Sequence, residues 1–270
     1  MELRRYASAI TPVIDSPVLT FGGLAELSAR GAALLLRSGL TLGDRVGVIL
    51  PMSPELYVVA LALFRLGLVP VLFDPRASSD EIAHGCERTE PHAWIIGGGR
   101  IGATLLGTSL GEPRRVFSVG FEAAGAVPWS RLQHYERHDE IVETDSTMPA
   151  LVSFTSGSAG QPKSAVRTHG MLKAQHAALE RSLSLADTAL DLNTLPVFVL
   201  ANLGSGVTTL IPGAFRDQGA TFGAQILATI NAYQPTRITT SPAFLDYLAE
   251  YCLELNVEIS NLRRILNSSS

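Results

Sequence analysis

Apolar residues recur along this chain with a helical spacing in some segments and as short uninterrupted runs in others. Leu24, Leu27 and Leu34 fall near one face of a predicted helix. Gly39 can end that helix, and the apolar residues 45–50 then predict a buried strand. The two patterns keep alternating from residue 20 onward. This alternation indicates an α/β fold in which parallel-rich sheets are layered with helices.

The same alternation predicts the remaining elements. Pro54 suits the first turn of a helix over 55–66, and an apolar strand over 69–73 follows. Ser78 or Ser79 can cap the next helix, because a serine oxygen accepts from the free amides of a first turn. A helix is further predicted over 171–183, and strands are predicted over 93–96, 115–119, 150–154, 165–168, 192–196, 208–211, 237–240 and 264–266.

A polar stretch over 129–148 interrupts the series of apolar elements. We therefore predict an N-terminal α/β subdomain over 1–148 and a second α/β subdomain over 149–270. The most apolar window, 57–73, contains Arg65 and matches a core helix followed by a core strand better than a membrane span. No transmembrane segment is predicted.

The composition is that of an ordinary globular protein, with 46% hydrophobic and 17% charged residues. A formal net charge of −4 gives no electrostatic reason to expect binding to nucleic acid. Cys86 and Cys252 lie far apart, without the CxxC or Cys/His cluster that would indicate a zinc site or a disulfide framework. We therefore expect a reduced, cytoplasmic protein whose partners are small molecules.

The segment from Phe154 to Lys163 carries the strongest chemical signal. It reads FTSGSAGQPK and directly follows an apolar strand. Its glycines allow the backbone to approach an anion closely, its hydroxyls and amides can donate to phosphate oxygens, and Lys163 supplies a positive charge. This combination predicts a site for the triphosphate of a nucleotide.

The segment resembles the diagnostic loop of the adenylate-forming superfamily, which includes acyl-CoA synthetases, luciferase and the adenylation domains of peptide synthetases. The family loop reads Tyr or Phe, Thr-Ser-Gly, Ser/Thr-Thr-Gly, any residue, Pro-Lys-Gly. Phe154 to Lys163 follows this order except at Ala159, and Ser164 replaces the final glycine. Losing one charge-assisted hydrogen bond costs about 1.5–3 kcal/mol, so Ala159 is expected to weaken nucleotide binding without abolishing it.

The resemblance implies a function and a set of contacts. The family enzymes use ATP and Mg²⁺ to join AMP to a carboxylic acid, and they usually pass the acyl group to a thiol such as coenzyme A. Catalysis by positioning and electrostatics is implied, with no single catalytic side chain and no metal ligand assigned in this chain. Carried over by position, the nucleotide contacts would be Thr155, Ser156, Gly157, Ser158, Gly160 and Lys163.

The region after residue 194 resembles the segment that lines the acyl pocket in members acting on long acyl chains. Phe198 stands near the place where many relatives have a histidine, and an aromatic wall there suits a fatty or other apolar acid. Asn202 and Gly204 are the other candidate substrate contacts. Residues 208–212 also resemble the corresponding segment of members acting on long acyl chains or their hydroxylated relatives, including β-lactone synthetases. For residues 195–204, a core strand that turns into a helix is about as good an explanation.

Motifs that complete the family's active site are not found in this sequence. The family's aromatic-Gly-x-Thr-Glu motif, its ribose-binding aspartate and the lysine of its small C-terminal lid domain have no counterpart in the 270 residues. We therefore expect the chain to be an incomplete, N-terminal part of such a ligase, with little or no turnover alone. Together with Ala159, the same absence also fits a non-catalytic module of the same fold that binds nucleotide or acyl groups.

Two further nucleotide-binding classes fit parts of the sequence. Gly97, Gly99 and Gly102 spell GxGxxG after a predicted strand, and Glu122 lies about where a ribose-binding acid would, as in NAD(P)-dependent oxidoreductases. The crossover helix after these glycines would be short and broken, which counts against this class. A P-loop NTPase is disfavoured because Pro162 stands where the Walker loop needs a glycine.

Three histidines allow two interpretations each. His134 and His138 lie at helical spacing close to Asp139 and Glu140, which would suit a metal site. We prefer a solvated connector, because the sequence places no third ligand. His169 follows the loop and would either help to shape the pocket or simply end a strand.

Overall fold

Strands and helices alternate through most of the chain. The structure is a computed structural model that describes residues 10–12, 18–98, 115–155, 163–183, 190–212, 221–259, 262 and 264–267. Its strands are β1 (Ile10–Pro12), β2 (Arg45–Ile49), β3 (Val69–Leu72), β4 (Ala93–Gly97), β5 (Arg115–Val119), β6 (Val127–Pro128), β7 (Pro149–Thr155), β8 (Lys163–Thr168), β9 (Leu190–Asn193), β10 (Thr208–Ile211), β11 (Arg237–Thr240) and β12 (Arg264–Asn267). Its helices are α1 (Phe21–Arg37), α2 (Pro54–Arg65), α3 (Ser79–Thr89), α4 (His169–Leu183), α5 (Pro196–Gly204), α6 (Thr221–Tyr233) and α7 (Pro242–Leu255), with a 3-10 helix over Trp129–His134. None of the helices in these ranges has the length and apolar character needed to cross a bilayer.

The ends of the first helices follow the capping signals of the sequence. Gly39, just after α1, has a φ of 86°, a conformation that glycine adopts without steric cost. Pro54 begins α2, as predicted. Ser78 caps α3: the Glu81 amide donates to the Ser78 hydroxyl at 3.3 Å, and the Ser78 amide donates to the Glu81 carboxylate at 2.7 Å. This reciprocal capping box satisfies two amides that a helix start leaves open.

A seven-stranded sheet is ordered β6-β5-β4-β2-β3-β7-β8. Neighbouring strands are parallel throughout, except that β7 and β8 are antiparallel. The carboxyl ends of the parallel strands β2, β3, β4, β5 and β7 therefore lie along one edge of the sheet. In open α/β sheets this edge is where ligands bind.

Aromatic side chains fill the centre of this sheet. Trp94 has no exposed surface, and its ring centroid lies 5.1 Å from that of Phe73. The ring centroid of Phe154 lies 4.8 Å from that of Phe73, so the residue that begins the loop motif is packed into the same cluster. Gly47 on β2 lies against the Trp94 ring so closely that a Cβ atom there would clash with it.

The polar stretch that begins at residue 129 packs along helices α1 and α2. Trp129 is buried and meets Phe117 edge to face at 6.2 Å. The His138 amide donates to the Ala29 carbonyl at 3.1 Å, and the Val142 amide donates to the Arg65 carbonyl at 2.8 Å. Much of this stretch is therefore held against the surface of the seven-stranded unit.

Contacts divide the chain into two compact units. One unit comprises 24–51 and 55–174 and contains the seven-stranded sheet, and the other comprises 1–23, 52–54 and 175–270. The predicted subdomain boundary at residue 148 divides the chain on a different basis and stays a prediction.

The second unit contains a parallel sheet ordered β1-β10-β9-β11-β12. Leu192, Leu210 and Ile238 form a cluster with apolar residues of α6 and α7. The predicted strand over 192–196 is shifted: β9 ends at Asn193, because Pro196 begins α5.

Candidate functional site

The predicted phosphate loop connects two antiparallel strands, β7 and β8, at the edge of the seven-stranded sheet where its parallel strands have their carboxyl ends. β7 runs parallel to β3 and ends at Thr155, and β8 begins at Lys163. Thr155 and Lys163 are paired across the two strands, so residues 156–162 join two ends that are held together. Of the predicted nucleotide contacts, the backbone of Thr155 and the exposed residue Lys163 are described. The others, Ser156, Gly157, Ser158 and Gly160, lie outside the described residues.

Side chains on both strands hold this hairpin to the sheet. Arg167 Nη1 donates to Ser153 Oγ at 2.6 Å and links β8 to β7. Phe154 is anchored against Phe73, as described above. The two ends of the loop therefore start from a fixed backbone, which is the arrangement that electrostatic stabilisation by preorganised donors requires.

An ion pair lies beside the end of β7. Leu72 pairs with Ser153, so Asp74 falls level with Thr155 at the same edge. The Asp74 carboxylate accepts from the Arg76 amide at 2.8 Å and from Arg76 Nη2 at 3.1 Å. Burial raises the pKa of Asp74, but the hydrogen bonds from Arg76 outweigh it and the pKa is lowered. Asp74 is thus an ionised turn residue whose charge is balanced by Arg76.

His169 lies at the end of the hairpin opposite the loop. β8 runs away from Lys163, so His169 is roughly 20 Å along the strand from that lysine. Its amide donates to the Met148 carbonyl at 3.0 Å, and its ring meets Phe64 edge to face at 6.5 Å. Burial, with a smaller contribution from Lys173, lowers the pKa of His169. Of the two interpretations, the strand-end histidine fits this position.

The three predicted acyl contacts lie on α5. Phe198 is half-buried in the first turn of the helix. Gly204 is exposed at its end, where a Cβ atom would approach His176 Nε2 to 2.9 Å. Asn202 is 1% exposed, and its amide donates to Asp191 at 2.6 Å and to Thr209 at 3.0 Å. Their substrate-binding role stays a prediction.

Sequence reasoning missed a buried ion pair beneath α5. Arg237 Nη2 donates to Asp191 Oδ2 at 3.0 Å, and the two side chains are 2% and 0% exposed. The available signal was the alternation of β9, Leu-Asp-Leu-Asn, which is typical of a strand with one apolar and one polar face.

The other candidate sites remain only partly described. Gly97 ends β4, while Gly99 and Gly102 lie outside the described residues. His134 is exposed and His138 is half-buried. Within the ranges given above, no three His, Cys, Asp or Glu side chains are grouped in a way that could hold a metal ion.

Comparison with known proteins identifies the family. The family model described as AMP-binding enzyme matches residues 4–269, nearly the whole chain. The chain belongs to this family. Its membership confirms the resemblance to adenylate-forming enzymes that the loop motif indicated, and the α/β fold class is confirmed as well.

Relatives and solved structures agree with this assignment. The chain is 30% identical over 234 residues to an olefin β-lactone synthetase of Xanthomonas campestris pv. campestris, covering 84% of this chain and 42% of the relative. It is 28% identical over 241 residues to a p-hydroxybenzoic acid–AMP ligase of Mycobacterium marinum, covering 87% of this chain and 32% of the relative. The fold is similar to that of a putative long-chain-fatty-acid CoA ligase from Rhodopseudomonas palustris, with a TM-score of 0.81 at 21% identity, over 99% of this chain and 67% of that one. The chain thus spans less than half the length of these curated relatives.

Proposed function

We propose that this chain is part of an enzyme that uses ATP to activate a carboxylic acid as its acyl-adenylate. The observation that carries the proposal is the paired hairpin β7–β8, which presents the family's loop and Lys163 at the carboxyl edge of a parallel sheet. Anionic ligands are expected at such an edge, because backbone amides and a lysine there can face a phosphate.

In the proposed reaction, a carboxylate oxygen attacks the α-phosphorus of ATP. The new oxygen–phosphorus bond forms as the bond to the leaving pyrophosphate breaks, and pyrophosphate takes the electron pair. Lys163 and the loop amides would hold the β- and γ-phosphates, where negative charge accumulates. Mg²⁺ is usually bound through phosphate oxygens with one or two carboxylates. In this proposal Mg²⁺ would be held mainly by phosphate oxygens of ATP and would neutralise part of their charge.

The acid is proposed to be apolar, such as a fatty acid, with a thiol such as coenzyme A as the acceptor. Support for an apolar acid comes from Phe198, a half-buried aromatic ring in the first turn of α5. One relative is named an olefin β-lactone synthetase and another a p-hydroxybenzoic acid–AMP ligase, so the family by itself leaves the acid open. A cytoplasmic location is part of the same proposal.

A non-catalytic module that binds nucleotide or acyl groups is the second candidate. Ala159 favours it, because this position usually supplies a hydroxyl to the loop. Under this alternative the chain binds ATP, but the full-length protein produces no pyrophosphate from ATP and acid.

The two lysines of the sequence, Lys163 and Lys173, provide a matched test. Both are exposed, but Lys163 is beside the loop and Lys173 is on α4. Lys163→Met should weaken Mg-ATP binding by about tenfold or more, because a charge-assisted contact to phosphate is lost. Lys173→Met should leave the Kd for ATP unchanged. Titration calorimetry with ATP, and with NAD as a competing probe, measures both.

Chemical labelling gives an independent readout on the unmodified chain. Mg-ATP should protect Lys163 from an amine-acylating reagent and leave Lys173 equally reactive, as measured by peptide mass spectrometry. Equal labelling of both lysines with and without ATP, or protection by NAD alone, would reject the proposed nucleotide site. Pyrophosphate release by the full-length protein then separates the enzyme from the binding module, and we expect little release from this chain alone.

A further inference from the structure

Six polar side chains form a buried cluster between α5 and the five-stranded sheet. They are all 2% exposed or less, and we call them the Asp191 cluster. Its members are Asp191, Asn193, Asn202, Thr209, Arg237 and Thr239. None of the steps of the proposed reaction uses them directly.

Asp191 is the centre of the cluster. Its carboxylate accepts from Asn193 Nδ2 at 3.0 Å, Asn202 Nδ2 at 2.6 Å, Arg237 Nη2 at 3.0 Å and Thr239 Oγ1 at 3.0 Å. Three of these bonds end on Oδ2, while Oδ1 accepts from Thr239. Because the acceptor is shared, a change at one donor is felt by the others.

The cluster ties three strands and one helix together. Thr209, Asp191 and Arg237 lie level with one another across β10, β9 and β11. Asn202 of α5 covers this row, since it donates to Thr209 and accepts from Arg237 Nη2 at 2.6 Å. Strands of a parallel sheet covered by helices are usually apolar on both faces. A buried ion pair adds little stability relative to apolar residues of similar volume. We therefore ask which neighbouring groups this pair holds in place.

Hydrogen bonds of Asn193 connect the cluster to the turn between β9 and α5. Asn193 uses one end of its amide to donate to Asp191 and the other end to accept from the Leu195 backbone amide at 2.8 Å. Thr194 is held as well: its amide donates to the Thr239 carbonyl at 2.9 Å, and its hydroxyl bonds to that of Thr240 at 2.8 Å. This turn lies at the carboxyl edge of the sheet and leads directly into the helix turn that carries Phe198.

We propose that the Asp191 cluster is a positioning device for the acyl-binding wall. Through its two hydrogen bonds, Asn193 couples the position of the Asp191–Arg237 pair to that of the Leu195 amide. The turn that is fixed in this way determines where the Phe198 ring lies relative to the bound acid. The proposal rests on the proposed function, because the contact between Phe198 and an acyl group belongs to it. Asn202 acts here as a positioning residue, since both ends of its amide are bonded within the cluster.

A pair of substitutions separates positioning from simple structural support. Asn193→Ala removes the bridge between Asp191 and the turn. Thr209→Val, the matched control, removes a buried hydroxyl of the same cluster that has no contact with the turn. Asn193→Ser, whose short hydroxyl cannot reach both partners, replaces the alanine variant if that one fails to fold.

Two readouts are measured on the full chain. Hydrogen exchange of the Leu195 amide should become about tenfold faster in Asn193→Ala, because its acceptor is lost, and stay near wild type in Thr209→Val. The Kd for decanoate should rise about tenfold in Asn193→Ala, while the Kd for Mg-ATP changes by less than about twofold in both variants.

Each departure from this pattern has a definite meaning. Unchanged Leu195 exchange, or equal changes in the two variants, would overturn the positioning role. Faster exchange without any change in decanoate binding would also overturn it, and so would a wild type that binds Mg-ATP but not decanoate. If the wild type binds neither ATP nor decanoate, the proposed function is wrong. If the exchange of the Leu195 amide still becomes faster in Asn193→Ala and not in Thr209→Val, the conclusion that the cluster fixes the turn stands.

Discussion

The two sheets of this chain fill their interiors in different ways. In the seven-stranded sheet, Trp94 and Phe73 are packed as part of an apolar cluster, and the rings fill space by contact. In the five-stranded sheet, Leu192 and its neighbours form an apolar cluster, while Asp191 and Arg237 are buried on the side covered by α5. The stability of the first interior depends on how well its side chains fill space. The stability of the second also depends on whether its buried polar groups keep their hydrogen-bond partners.

This difference predicts different tolerance to substitution. An apolar core accepts changes that conserve volume, because contacts of similar strength can form again. A buried ion pair does not accept the loss of one partner, since the other charge is left without compensation. Substitutions in the two interiors, at two helix caps and at His169 test this contrast.

Removing one charge from the polar face should have the largest effect. Arg237→Met should lower the free energy of unfolding by about 3–5 kcal/mol, because the Asp191 charge stays buried without its partner. The double variant Asp191→Leu, Arg237→Met should recover part of this loss, although Asn193 and Thr239 still lack their acceptor. Urea unfolding measures both, and a double variant less stable than the single one would contradict the interpretation.

A single methyl group should disturb the apolar interior. Gly47→Ala places a Cβ atom against the Trp94 ring and should cost about 1–3 kcal/mol of unfolding free energy through overpacking. Trp94→Leu in the same chain should make Gly47→Ala nearly neutral, because the ring that it meets is gone. Gly98→Ala is the control, since its Cβ would have no neighbour closer than 3.6 Å. Equal costs at Gly47 and Gly98 would show that the ring does not limit the packing.

The helix caps of the two units allow a direct comparison. The Ser78 hydroxyl caps α3 by accepting from the Glu81 amide at 3.3 Å and donating to the Glu81 carboxylate at 2.9 Å, whereas the Ser241 hydroxyl caps α7 with a single bond from the Phe244 amide at 3.3 Å. Each substitution by alanine should cost about 1 kcal/mol, with the larger loss at Ser78, where both bonds of the hydroxyl are lost. Thermal unfolding of the two variants measures the difference, and a larger loss at Ser241 would be the opposite result.

The pH dependence of stability should show the smallest effect. The pKa of His169 is lowered, mainly by burial, below its ordinary value of 6.5. Unfolding therefore takes up a proton, so the contribution of neutral His169 is full above that ordinary value and is lost as the pH falls through the folded pKa. The difference in melting temperature between wild type and His169→Gln should narrow or reverse below pH 6.5. A constant difference across this range would show that the histidine does not titrate in the expected direction.

Local signals in the sequence were sufficient for many elements. The strands over 115–119, 208–211 and 237–240 were predicted with the bounds that the structure shows, because short segments rich in Val, Ile and Thr favour strands. Ser78 or Ser79 was predicted to cap α3, because a serine oxygen accepts from the free amides of a first turn, and the structure selects Ser78. The loop motif was sufficient for the family, because its chemistry lies within ten consecutive residues.

Features that depend on distant residues could not be predicted in this way. Helices α6 and α7 were not predicted, because their apolar residues can be recognised as a core face only where they pack against β9, β10 and β11.

The same limit applies to the site. The strand direction of β8 decided that His169 lies away from the loop, and no spacing in the sequence reports that direction. Asp191 and Arg237 are 46 residues apart, and only the strand order β10-β9-β11 brings them together. The amino-acid sequence is therefore enough to specify the local elements, the caps and the nucleotide motif, because those interactions act between neighbours along the chain. The polar cluster and the orientation of the hairpin follow from the fold, because strand pairing joins residues that lie far apart in the sequence.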